Sequence, residues 1–164
     1  MVAGNATVGK TSLLRRYVDG MFDESSVMTV GVDFFTKEIT FDNIECSLQL
    51  WDLGGQKRFR RLLDSFVMGA RGALLLFDLT SMPKMGDILE WVNIARIHDI
   101  NLPILLVGNK SDLEDYIAVD DEIAHHIQNT FNMIDYIKTS AKTGYNTDKL
   151  FDLLARKLTK ISKY

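Results

Sequence analysis

The stretch Gly4-Asn5-Ala6-Thr7-Val8-Gly9-Lys10-Thr11 sets two glycines, a lysine and a hydroxyl at the spacing G-x-x-x-x-G-K-[ST] of a phosphate-binding loop. Gly4 and Gly9 let the backbone bend so that successive N–H groups and the start of the next helix face an anion. Lys10 adds a point charge for β- and γ-phosphates, and the Thr11 hydroxyl is a hard oxygen ligand of the kind Mg²⁺ takes. The alternative is a glycine-rich turn before an ordinary helix, matching the pattern by chance.

Further along, Asp52-Leu53-Gly54-Gly55-Gln56 follows a run that reads as a strand. A carboxylate there can hold Mg²⁺ through water, Gly55 offers an unhindered N–H to a γ-phosphate, and Gln56 can orient a water. The same residues also suit a plain glycine-rich turn. In Gly108-Asn109-Lys110-Ser111-Asp112, the ionised Asp112 is acceptor-only, matching the N1–H and N2–H₂ donors on guanine's edge. Adenine would leave that carboxylate without its partners. Lys110 can lay its stem on the base and Asn109 can tie the loop to its neighbours, although Asp112 also suits the N-cap of a helix. The backbone of Ser140-Ala141-Lys142 can meet the base's O6 acceptor. Thr29 lies in a polar stretch without periodicity, Asp23 to Val30, which reads as a loop. A hydroxyl there can complete the Mg²⁺ shell, ordering the loop while the γ-phosphate is present.

Elements of alternating type must position these residues. Leu13, Leu14, Tyr17 and Val18 form one apolar stripe on a helix predicted over Lys10 to Asp19, which Gly20 ends. A strand over Val32 to Phe41 leads through a two-residue turn, Asp42-Asn43, into a return strand. There Ile44, Cys46, Leu48 and Leu50 alternate with Glu45, Ser47 and Gln49, which makes Cys46 a small core residue. Ala73 to Phe77 and Ile104 to Val107 are continuous apolar runs, the mark of strands buried on both faces. Tyr136 to Lys138 is a further strand. Helices are predicted after Pro83 with Ile88, Leu89, Trp91, Val92 and Ala95 inward, around Ile123 to Phe131, and at the end, where Leu150, Leu153, Leu154, Leu158 and Ile161 share a face. Strands alternating with helices imply an α/β domain whose mostly parallel sheet is covered on both faces, with ligands outside the carboxyl ends of its strands. Only Met1, Val2 and Ala3 precede the loop, so the expectation is a single domain over residues 1–164 with its first strand truncated. Either the natural chain begins upstream, or the fold lacks most of that strand and holds its ligand poorly.

Apolar residues at 46%, charged residues at 25% and a net charge of -3 describe a globular chain without the basic excess that non-specific nucleic-acid binding needs. One cysteine allows no intrachain disulfide, so a cytoplasmic chain is the default, and a monomer is expected. No apolar run approaches the roughly 18 residues of a membrane span. The tail carries no cysteine for prenylation, so no lipid anchor is expected in this chain, with peripheral membrane attachment only through a tail not included. His125 and His126 are adjacent on a helix, about 100° apart, and read as surface residues rather than metal ligands.

In order and spacing these motifs resemble the Ras superfamily of small GTPases, from Gly4 nearly to Tyr164. The resemblance implies a P-loop NTPase fold: a six-stranded mixed sheet, five strands parallel, with five helices. It implies that Gly4, Ala6, Thr7, Val8, Gly9, Lys10, Thr11 and Ser12 hold the phosphates of GTP or GDP, and that Thr11, Thr29 and Asp52 serve Mg²⁺. Phe22 would pack on guanine, Gly55 would meet the γ-phosphate, and Asn109, Lys110, Asp112, Ser140, Ala141 and Lys142 would bind the base. Lys10 and Gln56 would be catalytic. Switch I would be Asp23 to Val30 and switch II Gly54 to Phe66, through which effectors, an exchange factor and an activator act. Thr29-Val30-Gly31-Val32-Asp33-Phe34, Leu48-Gln49-Leu50-Trp51-Asp52, Arg58-Phe59-Arg60 and Leu76-Phe77-Asp78-Leu79-Thr80 are similar to stretches of the Rab branch. Phe34, Trp51 and Phe66 match the aromatic trio Rab proteins present to effectors, and they equally suit core packing between the hairpin and switch II.

Two departures stand out. Leu53-Gly54-Gly55-Gln56 is similar to the Arf branch rather than to most Rabs, and Ala6 stands where Ras has Gly and many Rabs Ser, a methyl group in the path of a catalytic arginine. The run Lys57, Arg58, Arg60, Arg61 suits a solvated switch II face or partner contact better than an arginine finger in cis. The expected activity is slow GTP hydrolysis by a switch in signalling or vesicle traffic. The alternatives are a nucleotide-loaded scaffold with little turnover and an ATPase sharing the phosphate loop.

Overall fold

A computed structural model describes residues 1–24, 29–56 and 63–161. The basic run at Lys57, Arg58, Arg60 and Arg61, parts of both expected switch segments and the side chain of Ile161 lie outside the described residues.

Six strands form one sheet in the order β2-β3-β1-β4-β5-β6. Strands β1 (Val2–Ala3), β3 (Ile44–Leu53), β4 (Ala73–Asp78), β5 (Ile104–Asn109) and β6 (Asp135–Lys138) run parallel, and β2 (Val32–Phe41) pairs antiparallel with β3. Asp42 and Asn43 take φ of 49° and 60°, the left-handed pair that a two-residue hairpin turn needs. The expected mixed sheet is present, and β3 runs three residues past the alternating stretch so that Asp52 sits at its carboxyl end.

The helices are α1 (Lys10–Asp19), α2 (Asp64–Val67), α3 (Met85–Ala95), α4 (Asp121–Thr130) and α5 (Thr147–Ile161). Two hydrophobic cores cover the two faces. On one, Leu13, Leu14 and Tyr17 of α1 and Leu150, Phe151 and Leu154 of α5 pack on Val2, Leu74, Leu76, Leu105 and Val107. On the other, α3 and α4 bring Ile88, Trp91, Val92, Ala124 and Ile127 onto Ala3, Leu75, Phe77, Ile104 and Leu106. Successive residues of β4 and β5 therefore serve opposite cores, which is why those strands are apolar without alternation. Cys46 is half-buried against the first of these cores.

Leu89 departs from the expectation of an inward residue and is 48% exposed. The buried stripe of α3 is Ile88, Trp91, Val92 and Ala95, at i, i+3, i+4 and i+7, and Leu89 falls one step off it. Helix α4 starts two residues earlier than expected because the Asp120 side chain accepts from the Ile123 N–H as its N-cap. His125 and His126 are exposed, as expected.

Candidate functional site

At the carboxyl edge of the sheet lies a cleft of about 340 Å³, lined from one end to the other by the phosphate-loop segment, residues 22–24, Thr29, Gly55 and Gln56, and the loops after β5 and β6. The loop between β1 and α1 is held in part by its own lysine. The Lys10 ammonium is buried and donates to the carbonyls of Gly4 and Asn5, at 2.9 and 2.8 Å. Gly9 caps α1 with φ of 94°, and a Cβ there would stand 2.3 Å from Asn109 Nδ2, so only glycine fits. Thr7 also holds a positive φ, 65°, an uncommon conformation for a side-chain-bearing residue and one placed at the cleft. A Cβ on Gly55 would lie 2.3 Å from the Ala6 nitrogen, so the turn after β3 rests directly on the loop's backbone.

Three oxygen-bearing side chains meet beside it. Thr11 Oγ1 lies 2.5 Å from Thr29 Oγ1 and 2.5 Å from Asp52 Oδ2, and Thr29 Oγ1 is 3.3 Å from the same carboxylate oxygen. Asp52 is fully buried, and its Oδ1 has no hydrogen-bond partner among the described residues. Burial pushes its carboxyl pKa up, against the hydrogen bond from Thr11, the charge of Lys10 and the hydrogen bond from Thr29. Two hydroxyls and an under-satisfied carboxylate are a donor set that fits Mg²⁺ together with phosphate oxygens.

At the far end, Asn109 is buried and ties three loops: its Nδ2 donates to Val8 O at 2.9 Å, and its Oδ1 accepts from Thr139 Oγ1 and the Ala141 N–H at 3.2 Å each. Ser140 Oγ donates to Asp112 Oδ1 at 2.5 Å. Asp112 thus receives a hydroxyl from the β6 loop and faces the cleft with the rest of its carboxylate, and no helix begins on it. Lys110, at a φ of 68°, sends its ammonium 2.6 Å from Asp78 Oδ2 at the end of β4, which leaves its stem along the cleft wall. Phe22 lines the opposite wall, partly buried.

The cleft collects Ala6, Thr7, Gly9, Lys10, Thr11, Ser12, Phe22, Thr29, Gly55, Gln56, Asn109, Lys110, Asp112, Ala141 and Lys142 from the sequence-predicted set. Gly4, Val8, Asp52 and Ser140 stand behind that lining, where their contacts hold it. Leu113 lines the cleft without having been singled out in the sequence, Asp23 and Glu24 line it where the sequence marks only the start of a loop, and Asn5 has a side-chain role that the phosphate-loop motif does not announce. Asn5 donates to Asp87 Oδ2 and accepts from Trp91 Nε1, 3.0 Å each, fastening the loop to α3. Glu24 Oε1 lies 2.8 Å from Lys142 Nζ and holds that ammonium's pKa above its ordinary value. No periodicity marks these residues; only the polar character of the stretch from Asp23 is readable in the sequence.

The aromatic trio is assembled. Phe34 and Trp51 lie 4.8 Å apart between ring centroids and Trp51 and Phe66 5.9 Å, all tilted. Phe34 and Phe66 are nonetheless exposed, at 45% and 39%.

The model of the Ras family matches residues 1–160. The chain is 38% identical to the Ras-related protein Rab-1 of Theileria parva, over 100% of this chain and 76% of that protein. It is 37% identical to the Ras-related protein RabG2 of Dictyostelium discoideum, over 96% and 80% of the two. To the Ras-related protein Rab-27A of Rattus norvegicus it is 38% identical, over 94% and 75%.

Proposed function

Since the chain belongs to the Ras family, in its Rab-like branch, and is a GTP-binding, GTP-hydrolysing switch of signalling or vesicle traffic, we propose how its residues divide that work. The observation that carries the reading is the convergence of the 4–11 loop, Asp52 and Asp112 on one cleft. Loop amides and Lys10 hold the β- and γ-phosphates, Phe22 and the stem of Lys110 flank guanine, and Asp112 accepts from its N1–H and N2–H₂. Ser140 fixes the Asp112 carboxylate, and the Ala141 backbone faces O6.

Thr11, Thr29 and Asp52 would hold Mg²⁺, which would supply charge neutralisation at the phosphates. Gln56 orients a water for in-line attack on the γ-phosphorus; the bond to the bridging oxygen breaks, leaving GDP and phosphate. Among the described residues lining the cleft none is an arginine, so hydrolysis is slow until an activator supplies one, a contribution of roughly 10³ to 10⁵ in rate. Effectors and regulators act through residues 23–30 and 54–66, with the exposed Phe34 and Phe66 on Trp51 as an aromatic anchor. The domain, residues 1–164, works as a cytoplasmic monomer, or peripherally at a membrane through a lipidated tail. Among the described residues no helix is long and apolar enough to cross one.

Two measurements test this. Nucleotide released on denaturing the purified protein and identified by chromatography is expected to be guanine nucleotide near one per chain; adenine nucleotide would restore the ATPase alternative. Single-turnover hydrolysis is expected to be slow in the wild type and slower by more than about tenfold in Gln56→Leu, with GTP binding retained. Hydrolysis by Gln56→Leu at the wild-type rate both with and without an activator would remove the water-positioning role, and bound GTP persisting whatever partner is added would make the protein a scaffold.

A further inference from the structure

The base end of the cleft lies between two walls from opposite ends of the chain. One is residues 20–24, which follow α1 and carry Phe22 and Glu24; the other is residues 140–144, which follow β6 and carry Ala141 and Lys142. Two charged contacts join them. Across the mouth, Glu24 Oε1 and Lys142 Nζ are 2.8 Å apart, with both side chains well exposed. Behind the walls, Arg16 in the last turn of α1 donates through Nη1 to Gly20 O at 3.3 Å and through Nη2 to Thr143 O at 3.0 Å. Its guanidinium lies over Gly144, where a Cβ would stand 2.9 Å from Nε. A cation near a helix C-terminus is ordinarily there for the helix's own carbonyls. That accounts for the bond to Gly20, but not for a second bond to a loop 127 residues away in sequence.

We propose that Arg16 and Glu24 are positioning residues for guanine that set how long the nucleotide stays bound, by fastening wall 20–24 to wall 140–144. Neither residue belongs to the phosphate loop or to the base edge; each acts on a segment that does. The inference rests on the guanine-site reading above. The base leaves by parting the walls, so loss of either contact speeds release without altering the encounter of nucleotide with the phosphate loop. The two contacts differ in kind. Glu24 with Lys142 is an exposed ion pair, weak and screened by salt. Arg16 to two carbonyls is a planar fork of charge-assisted hydrogen bonds, which a lysine's single ammonium does not reproduce and which salt screens less.

The experiment loads the full chain with fluorescent GDP in Mg²⁺, chases with excess GDP, and follows release at low and high salt alongside the association rate constant. Glu24→Gln is expected to release about threefold faster at low salt and at the wild-type rate at high salt. Arg16→Lys and Arg16→Ala are expected to release about fivefold faster or more at both, with association changed by less than about twofold. Arg16→Lys keeps the charge at the helix end, so wild-type release in that variant would reduce Arg16 to a helix cap and overturn its part. Glu24→Gln releasing at the wild-type rate at low salt would overturn the other part. A wild type that takes up no fluorescent GDP would instead overturn the guanine reading, and this inference with it.

Discussion

One end of the cleft is a single contiguous segment, residues 4–11, whose own lysine bonds to the carbonyls of Gly4 and Asn5. The other end is assembled from segments at residues 22–24, 109–112 and 139–142, and side chains tie it together: Asn109 to Thr139 and Ala141, Ser140 to Asp112, Lys110 to Asp78 and Glu24 to Lys142. Backbone amides and one ammonium recognise phosphate oxygens without regard to the base attached, whereas an acceptor-only carboxylate distinguishes bases by their donors. The proposed function therefore assigns affinity and selectivity to different ends, and removing them separately tests it.

The sharpest break is Lys10→Ala. It deletes a buried charge with two hydrogen bonds, a change in the class of about 3–5 kcal/mol, which is about 10² to 10³ or more in affinity. Titration with fluorescent GDP and with a fluorescent GTP analogue is expected to show the loss for both. Retention of affinity within tenfold would move the main source of binding to the base end. Asp112→Asn is the complementary cut and the next in size. GDP affinity is expected to fall by about 10², because the amide presents a donor toward guanine's donors, while the much weaker binding of ADP stays as it was. If GDP and ADP weaken together, the carboxylate supports the loop rather than reading the base.

The contrast also governs what could be read from the chain. The contiguous end was legible because its function resides in spacing along the sequence, and α1 begins and ends at the residues that pattern predicts. The strands were legible from burial on one face or two, since β4 and β5 feed both cores. The individual motifs of the other end were legible, but not the contacts that tie them to each other. Nothing in the spacing of Asp78 and Lys110 announces an ion pair, and nothing near Arg16 points to Thr143. Leu89 shows the corresponding limit for packing: apolarity counted along a helix does not separate a residue on the buried stripe from one a step beside it. Such pairings are set by which strands neighbour each other in the sheet, a property of the whole chain.

The smallest effect sharpens the comparison from the base end's second layer. Asp78 stands opposite Asn109 in the β4–β5 register, accepts from the Thr80 N–H and hydroxyl at 2.9 and 2.7 Å through Oδ1, and holds Lys110 through Oδ2. Burial alone would raise its carboxyl pKa, but the hydrogen bonds from Lys110 and Thr80 and the lysine's charge outweigh burial and set it below the ordinary carboxylate value. A carboxylate depressed in the folded state contributes stability that is fully present above its unfolded value of about 3.9 and is lost as pH falls through the folded one. Asp78→Asn is therefore expected to cost roughly 1–2 kcal/mol at neutral pH, and the gap between its urea midpoint and that of the wild type is expected to close as pH drops below about 4. Because Asp78 fixes Lys110 rather than any phosphate-loop atom, GDP and GTP should each weaken by only a few-fold, and equally. A gap that stays constant from neutral to acid pH would mean the carboxylate is not held by Lys110 in solution. Unequal losses for GDP and GTP would mean that the two ends of the cleft communicate through β4.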